Sequence, residues 1–66
     1  MPRHYLRFEY ALRHPTFGFY LGTARDSLES NFSKSKRDAF TYTEQGAHVK
    51  KRNFPAMFGD CEIAKI

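Results

Sequence analysis

Apolar and polar residues alternate along residues 4–12. Leu6, Phe8, Tyr10 and Leu12 share one parity, and Arg3, Tyr5, Arg7, Glu9 and Arg13 share the other. Successive side chains of an extended strand point to opposite faces, so this period of two predicts a strand with one buried and one wet face. His14-Pro15-Thr16 breaks the run, which resumes with Phe17, Phe19 and Leu21 on one side and Gly18, Tyr20 and Gly22 on the other. Two such runs across a short Pro-containing break predict an antiparallel hairpin. The glycines inside the second run suggest a bulge or the close approach of another backbone.

The period then changes. Ala24, Leu28, Phe32, Ser35 and Ala39 recur at helical spacing, and Asp26 with Glu29 matches a capping box, with Thr23 as an alternative start one turn earlier. Lys34, Lys36 and Arg37 stand where cations complement the end of a helix. The prediction is a helix of about three turns that relies on packing, because Ser27, Ser30, Asn31, Ser33 and Ser35 are mediocre helix formers. From Ala39 the period of two returns: Phe40, Tyr42 and Glu44 oppose Thr41, Thr43 and Gln45, which predicts a strand. Gly46 marks a turn, and residues 47–53 read as a second, more polar strand. Pro55 to Gly59 reads as a loop or a single helical turn burying Met57 and Phe58, and residues 60–66 as a short edge strand. The expected fold is α+β: a small antiparallel sheet in the order β-β-α-β-β, with or without a fifth edge strand, and one helix on one face. Leu6, Phe8, Leu12, Phe17, Phe19, Leu21, Leu28, Phe32, Phe40 and Val49 are the expected core.

Composition sharpens this picture. Sixty-six residues make one domain, and a chain this short buries only about 60% of the surface its unfolded form exposes. Seven Phe and four Tyr with no Trp mean a core built from rings. Cys61 is the only cysteine, which excludes an internal disulfide, fits a reducing cytosol and reads as a small core residue. His4, His14 and His48 do not stand at metal-ligand spacing. No apolar run approaches the roughly 20 residues of a bilayer span, and Met1-Pro2-Arg3-His4 leads into the patterned segment without the apolar block of a signal peptide. A cytoplasmic chain with no metal and no cofactor is expected.

Charge names a candidate surface. Eleven Lys and Arg against seven Asp and Glu give +4, and the excess gathers at the two ends of the sequence. Such a field favours nucleic acid or an acidic protein surface. The candidate binding surface is Arg3, Tyr5, Arg7, Arg13 and Tyr20 together with Lys50, Lys51 and Arg52. Basic residues interleaved with aromatic ones let a sheet hold phosphates while bases stack on rings. The plainer reading is a solvated strand face that keeps an aromatic-rich chain in solution. Lys34, Lys36 and Arg37 form a secondary basic patch, which also reads as a solvated helix end.

Two short resemblances bear on function. Phe17-Gly18-Phe19 is similar to the centre of the aromatic strand of RNA recognition motifs. It lacks the basic residue and glycine before it and the last aromatic after it, and too little chain precedes it for that family's first strand and helix. Phe8-Glu9-Tyr10 followed by Tyr20-Leu21-Gly22 resembles the opening of GIY-YIG nucleases. That family implies an Arg on the next helix and a later metal-binding Glu, whereas Ser30 and Asn31 occupy the expected helix positions. A nuclease without its electrophile and metal cannot stabilise the charge that develops on phosphate. No Gly-rich phosphate loop is present, and Asp60 and Glu62 beside Cys61 disfavour a reactive thiolate.

The expectation is therefore a non-enzymatic binding protein that docks on another macromolecule and modulates or inhibits it. The partner class is a protein or nucleoprotein complex with an acidic or phosphate-lined surface. In size and in its lack of catalytic groups the chain resembles the small phage-encoded inhibitors, a likeness of genre with no shared motif. The alternative is a DNA- or RNA-binding module using the basic, aromatic sheet face, and the remote one a degenerate GIY-YIG-like nuclease. The closing strand also offers an edge to a second copy of the chain.

Overall fold

The computed structural model describes residues 7–66, so Arg3 and the start of the expected opening strand, including Tyr5 and Leu6, lie outside the described residues. Four strands, β1 (Tyr10–His14), β2 (Gly18–Tyr20), β3 (Phe32–Ser33) and β4 (Glu62–Lys65), form one sheet in the order β3-β2-β1-β4. Every neighbouring pair is antiparallel. Helix α1 (Glu44–Asn53) packs on β1 and β4, and a single-turn α2 (Pro55–Phe58) follows it. The fold is α+β, an antiparallel sheet with one main helix, as the patterns predict.

The hairpin of β1 and β2 forms where expected, but with the other side of β2 inward. His14 faces Gly18 across the turn, leaving Pro15, Thr16 and Phe17 in the loop. A loop of odd length pairs even-numbered residues with even-numbered ones, so Tyr20 lands beside Leu12 and Phe19 opposite Arg13. Tyr20 is accordingly 6% exposed, which corrects its expected place on the wet face. Phe17, Phe19 and Leu21 are only half-buried. The turn is held by His14, whose Nδ1 accepts from the Thr16 and Phe17 backbone N–H groups at 3.0 and 3.3 Å. Gly18, at φ +96°, completes the loop; a Cβ there would stand 2.2 Å from the Ser33 carbonyl oxygen, the close backbone approach that the glycine suggested.

Residues 24–39 do not form the expected helix. They make an irregular loop, two 3-10 turns (Glu29–Asn31 and Lys36–Asp38) and the short β3. The competing interactions are local. Asn31 is fully buried; its Oδ1 accepts from Thr23 Oγ1 and the Arg25 backbone N–H, both at 2.7 Å, and its Nδ2 donates to the Arg25 and Ser27 carbonyls at 3.2 Å. A side chain that satisfies the loop's backbone removes the need for a helical ladder. Leu28, expected on the inward stripe, is exposed, while Phe32 is buried as expected.

Residues 40–42 then run back along the sheet where β2 has ended. The Phe40 N–H donates to the Tyr20 carbonyl at 2.8 Å, and Tyr10 and Tyr42 exchange two backbone hydrogen bonds at 3.0 and 2.7 Å. Gly22, at φ +79°, makes room for the Phe40 ring, which an added Cβ would meet at 2.2 Å. Of the strand expected over 40–45 only Tyr42 bridges to the sheet, Glu44 and Gln45 belong to α1, and the hairpin expected over 40–53 does not form. At Thr43 the chain enters α1: the Thr43 side chain caps the helix by accepting from the Gly46 N–H at 3.0 Å. Lys50, Lys51 and Arg52 occupy its last turn, where they complement the helix dipole.

The core lies between the sheet and α1–α2. Leu12, Tyr20, Phe32, Ala47, Phe58 and Cys61 are buried together, with Tyr10, Phe17, Tyr42, Met57 and Ile63 packed against them. Tyr20 meets Phe58 edge-on at 4.8 Å and Phe32 at 5.7 Å between centroids. Of the expected core, Leu12 and Phe32 are fully inside; Phe8 and Phe40 are exposed, and Val49 is half-buried.

Candidate functional site

Among the described residues, the basic side chains singled out in the sequence do not converge on one sheet face. Arg13 is on the strand as expected, but its guanidinium pairs with Glu62 across the β1–β4 register. Arg7 stands 3.8 Å from Glu9, which also lies 4.0 Å from Lys65. These cations are exposed and partly neutralised. Tyr20 offers no stacking face: its ring is in the core and its hydroxyl donates to the Thr23 carbonyl at 2.8 Å. Lys34, Lys36 and Arg37 are exposed around β3 and the second 3-10 turn rather than at a helix end. Lys50, Lys51 and Arg52 sit on α1, not on a strand.

What the fold assembles instead is an open groove of about 410 Å³ between α1 and the 40–42 segment. Tyr42, Val49 and Phe54 are its apolar lining, and Thr43, Gln45, Lys50 and Asn53 bring polar side chains to it. The helix dictates this set, because positions 45, 46, 49, 50 and 53 fall on one face at 3.6 residues per turn. Phe54 is 51% exposed and Phe40, whose ring lies 5.0 Å from Tyr42, is 46% exposed. Lys50 is the one charged residue among the lining, and its Nζ sits 4.4 Å above the Phe54 ring, a cation–π contact. Burial and the neighbouring Tyr20 push the Tyr42 phenol up to about 12.

Sequence reasoning named Lys50, though on a strand rather than on α1, and missed Phe54 and Phe40 as surface residues. The signal for Phe54 was its spacing from Lys50, one helical turn back. Cys61 is buried with its thiol pushed up to about 11 by burial, so it is protonated near neutrality and contributes packing. Among the described residues, no helix is long and apolar enough to cross a membrane, and no group of three or more His, Cys, Asp and Glu side chains is placed to hold a metal ion. The chain matches no protein-family profile, no curated protein and no solved structure.

Proposed function

We propose that this chain is a non-enzymatic binding protein that docks through the α1 groove on a protein or nucleoprotein complex and so modulates it. The observation that carries this reading is the exposed rings of Phe40 and Phe54 on either side of the half-buried Tyr42, beside the cations of the last turn of α1. Clustered exposed aromatic surface is uncommon on an isolated small domain and marks interaction sites. Aromatic and Arg side chains anchor protein interfaces by filling desolvated pockets. The cations favour a partner with acidic or phosphate groups near the contact.

Direct binding of DNA or RNA is the second reading, supported by the Phe54 ring with Lys50 over it and Arg52 nearby. It is the weaker of the two because Tyr20 is in the core and Arg13 is engaged by Glu62. Nuclease action is weaker still, since the positions where the resemblance calls for an electrophile hold Ser30 and Asn31, and Asn31 is committed to the loop. Binding of the purified protein to labelled single- and double-stranded DNA and RNA, from about 50 to 200 mM salt, tests the proposal. The expected result is no more than weak association with a shallow salt slope. Tight binding with a steep slope, weakened by Lys50→Glu and Arg52→Glu, would put the nucleic-acid reading first.

A further inference from the structure

The groove's chemistry narrows what enters it, if docking occurs there as proposed. Gln45 and Asn53 both line it and stand eight positions apart on α1, about 12 Å at the helical rise. An extended chain of about four residues spans that distance. Neither carboxamide makes a side-chain hydrogen bond to another described residue, and each lines the groove. A carboxamide both donates and accepts, which matches the alternating N–H and C=O groups of a peptide main chain. A phosphate backbone needs a row of donors with charge, and among the described residues Lys50 is the only cation of the lining.

The apolar part of the lining is Tyr42, Val49 and Phe54, and among the described residues no carboxylate borders it. The volume, about 410 Å³, lies at the lower end of the roughly 300–1,000 Å³ typical of ligand pockets. We infer that the groove takes a short extended peptide whose bulky apolar side chain seats on Val49 between Tyr42 and Phe54, next to a carboxylate that meets Lys50. The arriving carboxylate completes a ring–ammonium–carboxylate stack on Phe54. The Gln45 and Asn53 side chains bond the peptide main chain at either end.

The test is an amide chemical-shift titration of the intact isotope-labelled protein with end-capped Gly-Asp-Phe-Asp, Gly-Lys-Phe-Lys, Gly-Asp-Ala-Asp and an oligothymidine. The acidic aromatic peptide is expected to move the amides of Gly46, Val49 and Asn53. Replacing its phenylalanine should weaken binding at least about tenfold, and replacing its acids by lysines about threefold. Lys50→Glu, a surface change that leaves the core intact, should reverse the preference between the acidic and lysine peptides. Shifts that map elsewhere, an unchanged preference in Lys50→Glu, or a silent spectrum with all three peptides would overturn the peptide assignment. A silent spectrum with weak, shallow nucleic-acid binding leaves the docking proposal standing, whereas stronger shifts of the same amides by oligothymidine overturn both.

Discussion

Asn31 shows how one side chain can decide a stretch of chain. Its carboxamide is wholly buried, and all four of its hydrogen bonds go to the loop between Thr23 and Ser27. Asn31→Ala leaves buried backbone groups of that loop without partners, each costing on the order of 1–3 kcal/mol. The variant should lose about 3 kcal/mol in urea unfolding, with β3 and the Lys36–Asp38 turn losing amide protection first. Two other buried groups make stability depend on pH at the alkaline end. The Cys61 and Tyr42 pKa values are raised to about 11 and about 12 in the folded chain, from 9.0 and 10.0. Above the unfolded values the unfolded chain binds fewer protons than the folded one, so stability falls as pH rises. Stability should be level up to about pH 8 and decline through the range between the unfolded and folded values. Cys61→Ala should remove the earlier part of that decline, and a flat profile in the wild-type protein would contradict the burial.

At the scale of elements, legibility followed how local the deciding interaction was. The β1–β2 hairpin, the turn at Pro55–Phe58 and the closing strand were readable because their patterns are short and self-contained. The inward side of β2 was not. It depends on whether the loop holds an odd or even number of residues, which His14 settles by accepting from two turn amides. The helix was misplaced for a related reason. The stripe from Ala24 to Ala39 carries a capping box, yet its Ser and Asn side chains bond the backbone of the loop instead. The true helix had its own signals: a Thr at the cap, Glu44 in the first turn, three cations in the last and Pro55 just beyond. They were outweighed by the Thr and aromatic residues before it and by Gly46. The candidate surface is altered accordingly: Lys50, Lys51 and Arg52, expected on a strand, stand on α1, and Tyr20, expected on the wet face, is in the core. Gly18 is where the hairpin is most vulnerable. Gly18→Ala forces a side chain into a left-handed φ and against the Ser33 backbone, and should cost about 2–3 kcal/mol. A variant as stable as the wild type by thermal unfolding would contradict the turn and the β2–β3 register.

Taken whole, the molecule invests its aromatic residues unevenly. Tyr20, Phe32 and Phe58 close a small core over which α1 and α2 fit, while Phe8, Phe40 and Phe54 remain exposed. In a chain with so little core, rings left outside cost solubility, and the cations of α1 offset part of that cost. The central claim is that contact is made at the α1 groove and not on the opposite sheet face that carries Arg13. Its most direct test places a photo-crosslinking amino acid at Val49 or at Arg13 and irradiates each protein in extract from cells that express it. The account predicts a discrete adduct from the Val49 probe, identified by mass spectrometry as protein and lost on adding excess wild-type chain, with no matching adduct from Arg13. An adduct formed from Arg13 alone, or one that proves to be nucleic acid, would contradict it.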